Sequence, residues 1–264
     1  MRVITMNLNG VRAAYRKGAG EWLAAARPDI LCWQEVRAAD SDLTPEMRRP
    51  GGLRGEFVSP ERRGYSGVAV FARKKPARVR RVFSAKNGGV LNSEGRFVRM
   101  DFAALSVISL YMPSGSGGEA RQAVKYEVMD ALYPWLVRRR READETGRDF
   151  LICGDINIAH AEKDIKNWRG NRKNSGFLPA ERKWLSRVFA DAGWRDVFRL
   201  LDDRDGQYTW WSNRGRAREN NVGWRIDYQI ATPRLASRAH RAEIYTAQNF
   251  SDHAPLIVEY RGRL

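Results

Sequence analysis

The chain is poor in histidine and cysteine, with three and two in 264 residues. Cys32 and Cys153 both sit inside apolar, strand-like runs, and no signal-peptide pattern opens the sequence. The expectation is two reduced, buried thiols in a cytoplasmic protein, with neither a disulfide framework nor a Cys/His metal cage. Long hydrophobic runs are also missing. None approaches the ~18 residues that would cross a bilayer, so a soluble chain without a membrane partner is expected. Nor does any Ser/Gly/Pro-rich linker, internal repeat or low-complexity tract divide the sequence; Gly51 to Gly55 and Ser114 to Gly118 are short and read as loops, giving a single domain over 1–264. Acidic residues are outnumbered, 31 against 47 Lys and Arg, which leaves a formal charge of +16 and a pI near 10.3. Such a surplus favours a polyanionic partner, nucleic acid ahead of an anionic membrane surface. The densest basic run, Arg138 to Arg141, closes an expected helix and reads as a solvated terminus.

What is present begins with DFLICGDINIAH, Asp149 to His160. Phe150 to Cys153 form a buried strand that Gly154 interrupts, delivering Asp155 and Asn157 to an edge of the core. By itself the tetrapeptide is as consistent with an ordinary polar turn as with a site. Two other runs end the same way. RVITMNLNG is a strand ending at Asn7, Asn9 and Gly10, and after a short helix carrying Trp22, Leu23 and Ala26, Ile30 to Trp33 form a strand that stops at Gln34 and Glu35.

Further strands are expected at Tyr65 to Ala72 and Ser106 to Tyr111, with partly exposed ones at Val79 to Phe83 and Arg96 to Phe102. Val124, Val128, Leu132, Trp135 and Leu136 mark a helix that Pro134 should kink or split. Asp164 to Phe177 is a basic, Asn-rich loop suited to phosphate oxygens, and Pro179 starts a helix of scaffold residues. In RIDYQI, Ile226, Tyr228 and Ile230 alternate with Asp227 and Gln229, so Asp227 projects from the opposite strand face. Asp252 and His253 stand in a loop just before a last strand, Leu256 to Tyr260, where a proton-handling group would be placed.

In order, NLNG, QEV, SGVAVF, EGR, YMPSG, GDIN, NRKNSGF, TWW, GWRID and SDHAP resemble the exonuclease III and apurinic/apyrimidinic (AP) endonuclease family, within the endonuclease, exonuclease and phosphatase group that includes DNase I. The likeness runs from Arg2 to Tyr260. It implies an α/β, four-layer sandwich of two packed mixed β-sheets flanked by helices. It also implies Mg²⁺-dependent hydrolysis of DNA phosphodiesters, with Mn²⁺ able to substitute, 5′ to abasic sites or at 3′ ends. Carried over by motif, Glu35 is the principal metal ligand with Asn7 and Asp252 nearby. Asp155, Asn157, His253, Asp227 and Tyr111 are catalytic. Trp210, Trp224 and Ile226 line a pocket for a baseless deoxyribose, and Asn171, Arg172, Lys173 and Asn174 contact DNA. The partner implied is double-stranded DNA with abasic sites or damaged or recessed 3′ ends, bound by a monomer.

These roles suit the chemistry. A hard cation on one or two carboxylates keeps waters and room for substrate. Asp155 with Asn157 can aim or deprotonate the attacking water, and a His253 imidazolium held by Asp227 can meet charge on the phosphoryl oxygens; which of the two acts as base stays open. The chain departs from many relatives at Trp168, where proline is common, and in the small-residue loop Ser114 to Ala120. A phosphatase of the same group and a binding protein that has lost its chemistry are the competing readings. The basic charge argues against the first and the intact carboxylates against the second.

Overall fold

The computed structural model describes residues 1–60, 62, 64–84 and 89–264. Runs of β-branched and aromatic residues form the strands β1 (Arg2–Asn7), β2 (Ile30–Gln34), β3 (Arg54–Val58), β4 (Val68–Ala72), β5 (Arg78–Arg80), β6 (Phe97–Asp101) and β7 (Leu105–Tyr111). The second half adds β8 (Asp149–Asp155), β9 (Arg195–Asp196), β10 (Trp210–Trp211), β11 (Gly223–Trp224), β12 (Asp227–Ala231), β13 (Ala239–Ile244) and β14 (Leu256–Tyr260). One sheet has the order β13-β14-β1-β2-β4-β3 and the other β5-β6-β7-β8-β12-β9, with β10 and β11 a separate ribbon. Both are mixed, because β1 with β2 and β7 with β8 pair in parallel among antiparallel neighbours. Counted from β13 and from β9, the two sheets follow the same succession of pairings.

Alternation along each strand fills three layers of core. On β8, Leu151 and Cys153 face the other sheet with Val3, Cys32 and Val70, whereas Phe150 and Ile152 face the long helix Glu119–Thr146 with Val128, Leu132 and Trp135. Ile4, Leu31 and Trp33 do the same on the far side, under Val11, Ala14 and Leu23 of the helices Val11–Arg16 and Ala19–Ala26. Each such side chain, fully removed from water, contributes about 1.5–3 kcal/mol. The result is helices, sheet, sheet, helices, the four layers expected.

Several local expectations need correction. The segment read as a loop at Gly51 to Gly55 already contains the start of β3. Gly55 is there because a Cβ would lie 2.4 Å from the Val70 carbonyl oxygen, so the strand pairs with β4 where a side chain would not fit. The β4 strand begins at Val68 rather than Tyr65, since Ser66 and Gly67 take positive φ, which interrupts the extended run. The strand expected at Val79 to Phe83 ends at Arg80, leaving Val82 63% exposed. By contrast β6 is buried throughout; Arg99 is accommodated by Asp101 and Ser106, so charge in the sequence concealed burial. Pro134 does not split its helix. It lies on the exposed face, Leu132, Trp135 and Leu136 pack around it, and the helix runs on to Gly147, whose φ of 69° ends it. Arg138 to Arg141 are therefore mid-helix, where Arg139 and Arg140 pair with Glu142 and Asp144.

Candidate active site

Strand register assembles the site. Tyr111 pairs with Asp155 across β7 and β8, and Asp155 with Asp227 across β8 and β12. All three share the parity of Leu151 and Cys153, so they point into the seam between the sheets at its open end. Gly154 makes that close pairing possible, since a Cβ there would stand 1.8 Å from the Leu110 carbonyl oxygen. From the facing sheet Asn7, last residue of β1, meets them. Beneath lies a satisfied polar tier: Gln34 Nε2 donates to Ser109 Oγ at 2.9 Å, Thr5 Oγ1 to Gln34 Oε1 at 3.2 Å, and Gln229 Nε2 to the Val3 carbonyl at 3.0 Å. Deeper still, the seam is apolar.

Glu35 enters just past β2 in a left-handed conformation, φ 48°. The backbone is held there because the β1–β2 ladder continues beyond the strands, with Gly10 N donating to the Glu35 carbonyl at 2.8 Å and Val11 N to that of Val36 at 2.9 Å. Asn9, Arg37 and Asn157 also take positive φ around the site, costing of order 1–3 kcal/mol each. Asn7 Nδ2 donates to Glu35 Oε1 at 2.9 Å and to Asp155 Oδ2 at 3.0 Å, tying a carboxylate of one sheet to one of the other. Its Oδ1 accepts from Asn9 N at 3.0 Å. Arg37 pairs with the second oxygen of Glu35.

Asp155 is nearly inaccessible, at 1% exposure. Its Oδ1 accepts from Asn157 N at 2.8 Å and its Oδ2 from Asn157 Nδ2 at 3.2 Å, while Asn157 Nδ2 also donates to the Met112 carbonyl. Burial first, then Asp227 and Glu35, push its pKa up to about 8 against the opposing pull of His253. His253 Nδ1 lies 2.8 Å from Asp227 Oδ2, and its Nε2 3.9 Å from Asp155 Oδ2. Burial lowers the imidazole pKa, but Asp227, Asp155 and Asp252 outweigh it and raise it to about 10. His253 is thus an imidazolium at neutral pH. Tyr111 is held well above its ordinary pKa by burial and the charges of Glu35 and Asp155, so its hydroxyl is a neutral donor.

Glu35, Asp155 and His253 each offer an atom within 4.8 Å of the other two, a group that could hold a metal ion. Asp252 stands to one side: Oδ1 accepts from Asn9 Nδ2 at 2.8 Å and Oδ2 from Trp210 Nε1 at 3.1 Å. Burial raises its pKa, yet His253 and these donors bring it below the ordinary value.

Above this floor opens a cleft of about 610 Å³ whose lining includes Trp210, Trp224, Ile226, Lys173 and Asn174. Trp210 and Trp224 meet edge to face, 6.1 Å between centroids, over an apolar cluster containing Ile226 and Phe177. Asn171 and Arg172 lie outside the lining. Asn171 accepts from Asn174 Nδ2 at 2.8 Å, and Arg172 stacks on Trp168, whose ring Arg169 also covers, each at 4.4 Å. Trp211 is buried scaffold, and His160 bonds Ser186 Oγ away from the cleft. Asn9 and Arg37 were not singled out from sequence as site residues, although the doubled polar ending of NLNG and the Arg after QEV were signals. Lys125, buried beneath Asn157, gave none.

The model of the Endonuclease/Exonuclease/phosphatase family matches residues 4–253. An exodeoxyribonuclease of Bacillus subtilis is 34% identical over 260 residues, covering 97% of this chain and 98% of its own. The DNA repair nuclease APEX1 of Danio rerio is 32% identical over 261 residues, 97% of this chain and 81% of its own. In fold, an AP endonuclease structure from Archaeoglobus fulgidus superposes with a TM-score of 0.83 at 24% identity, covering 99% of this chain and 100% of that one.

Proposed function

Because the chain belongs to the endonuclease/exonuclease/phosphatase family, within its exonuclease III and AP endonuclease members, we propose that it is a DNA repair nuclease, hydrolysing phosphodiesters 5′ to abasic sites, at 3′ ends, or at both. The observation that carries this is the meeting of Glu35, Asp155, Asn157 and the His253–Asp227 pair on the floor of an aromatic-walled cleft. The donor set fits a hard divalent cation: with His253 holding its proton against Asp227, the ligands left to it are carboxylate oxygens. Mg²⁺, or Mn²⁺ in its place, would be held by Glu35 as principal ligand and by Asp155, with Asn7 and Asp252 close by. When bound it supplies positive charge to the phosphoryl oxygens and the leaving alkoxide.

The chain's own groups do the rest. Asp155, fixed by the backbone and side chain of Asn157, takes the proton of the attacking water in its ionised form, which a bound divalent cation would favour over the protonated one. His253 has no vacant site for that proton at neutral pH, and instead turns an N–H toward the negative phosphoryl oxygens. Tyr111 donates to the same oxygens. Trp210, Trp224 and Ile226 admit a deoxyribose without its base, which has less stacking to lose on flipping. Asn171, Arg172, Lys173 and Asn174 grip the DNA backbone. Residues 1–264 act as one domain, a monomer working on double-stranded DNA in the cytoplasm.

The test uses one duplex with a central abasic-site analogue and another with a recessed 3′ end, each with Mg²⁺, Mn²⁺ or EDTA. Glu35→Gln and Asp155→Asn should each lower the rate by ~10² to 10³. No metal-dependent product from either duplex would sink the nuclease reading, and near-full activity of Asp155→Asn would remove Asp155 as base.

A further inference from the structure

Lys125 and Glu181 form an ion pair at 2.6 Å in which both side chains are completely buried. Lys125 comes from the long helix Glu119–Thr146 and Glu181 from the first turn of the helix Pro179–Ala190. Burial alone lowers the Lys125 pKa, an effect that Glu181 and Asp155 oppose. A pair of buried charges is a poor source of stability, since apolar residues of similar volume often do as well or better. Its contacts point elsewhere. Lys125 Nζ donates to the carbonyl of Asn157 at 2.8 Å. Glu181 Oε2 accepts from the backbone N–H groups of Gly176 at 2.7 Å and Leu178 at 3.0 Å, and Oε1 from Gln122 Nε2 at 3.1 Å.

The two loops so held also touch each other. Ala159 N donates to the Gly176 carbonyl at 2.8 Å. Gly176 has φ 92° and packs so closely that a Cβ would sit 3.1 Å from the Asn157 carbonyl oxygen and 3.0 Å from the Trp224 ring. Asn157 itself is left-handed, φ 56°, with its amide groups turned onto Asp155. A non-glycine residue in that conformation needs its surroundings to hold it. Lys125 grips its carbonyl from behind while Asp155 engages its N–H from the front.

We propose that Lys125 and Glu181 are positioning residues which set the Asp155–Asn157 segment and the turn 174–178 as one unit, so that the group aiming the water and the loop gripping the DNA backbone are placed together. The catalytic consequence rests on the nuclease reading above; the mechanical coupling does not. Losing the strut lets Asn157 relax from its left-handed conformation and frees the turn that carries Asn174.

The experiment compares the wild-type protein with Lys125→Met/Glu181→Gln, which removes both charges while the glutamine keeps an acceptor for Gly176 and Leu178, and with Lys125→Arg, which keeps a cation at Asn157. Thermal melting, steady-state cleavage of the abasic duplex at 25 °C and amide hydrogen exchange are read on each. The double variant should lose kcat ~10–100-fold, as expected on removing a group that orients another. Its KM should rise several-fold, and exchange at 157–159 and at 176–178 should quicken together; Lys125→Arg should recover most of kcat. A folded double variant with kcat and KM within twofold of wild type, or faster exchange in one segment alone, overturns the proposal. Should the double variant not fold, native-state exchange of the wild-type protein decides: the two segments open in one event with a common free energy if the strut is real, and separate openings refute it. Absence of metal-dependent cleavage by the wild type would refute the nuclease reading and leave the exchange result to stand on its own.

Discussion

Replacing Asp227 by asparagine keeps the shape of the group behind His253 and removes its charge. In the wild type that carboxylate lies 2.8 Å from His253 Nδ1 and is the largest influence raising an imidazole pKa that burial would lower. An opposite charge at such a distance is worth about 1–3 pKa units. The His253 pKa should therefore fall from about 10 by that amount in Asp227→Asn, with Asp155 and Asp252 keeping it from falling further. The chain has three histidines, so NMR titration of the imidazole resonances can follow His253 directly, with His160 and His240 as internal references. A folded-state pKa above the ordinary ~6.5 has a definite sign in stability. The favourable contribution is complete below about 6.5 and fades as pH rises toward 10. The stability difference between wild type and Asp227→Asn should thus be greatest at pH 6 and shrink by pH 10. The alkaline limb of the cleavage profile should move to lower pH in the variant. A wild-type His253 titrating near 6.5, or an unchanged pKa in Asp227→Asn, would refute the assignment of His253 as a standing imidazolium.

Asp155, raised to about 8, takes up a proton in the ion-free fold that a divalent cation must displace. Thermal stabilisation by Mg²⁺ should therefore grow from pH 5 to pH 8 and vanish with EDTA, and a pH-independent increment would count against Asp155 as a ligand. Gly154→Ala places a Cβ 1.8 Å from the Leu110 carbonyl oxygen, so β7 and β8 must part. The expected loss is about 3 kcal/mol in urea unfolding, the upper end of what overpacking costs, and a loss under ~1 would show that the strands yield more readily than this packing implies. Arg172→Ala and Lys173→Ala should each reduce the slope of log affinity for duplex DNA against log salt by ~1 without changing preference among DNA sequences; an unchanged slope would place them off the phosphates.

Asp227 was readable because alternation is a local property: once Ile226, Tyr228 and Ile230 are assigned to the core, it must face the other way. Tyr111 and Asp155 share that face, but in the sequence they and Asn7 showed only as strand ends and as parts of the ordered motifs. Glu35 showed only as the polar end of an apolar run, where a surface residue is the commoner outcome, and its role, like the fold, came from the ordered motifs. What stayed hidden depended on how the elements pack. Lys125 looks like any helix-surface lysine until Glu181, 56 positions later, is packed against it at 2.6 Å. Arg99 made β6 look exposed because its partners, Asp101 two residues along the same strand and Ser106 on the neighbouring β7, come together around it only once the strands are paired. Pro134 is a helix breaker by local rule, overruled by tertiary packing of the residues around it.

The seam also accounts for how so basic a protein concentrates carboxylates at the site proposed for cleavage. A single sheet can present a row such as Tyr111, Asp155 and Asp227, but its side chains lie side by side and solvent covers them. A second sheet brings Glu35 opposite Asp155, near enough for one Asn7 amide to bridge both. Burial and Asp227, and after them Glu35, hold the Asp155 carboxyl above its ordinary pKa, and the nearby cations relieve that crowding only in part: Arg37 takes one oxygen of Glu35 and His253 is shared with Asp227. A divalent cation held there would relieve it further and would present a positive face to phosphate. On the proposed function the surplus arginines and lysines would act at longer range, with Arg172 and Lys173 as the rim groups that draw in the backbone. Attraction and chemistry are thereby separated. The rim can gain or lose a charge and change affinity, whereas a single carboxylate removed from the seam alters the balance of every group in it.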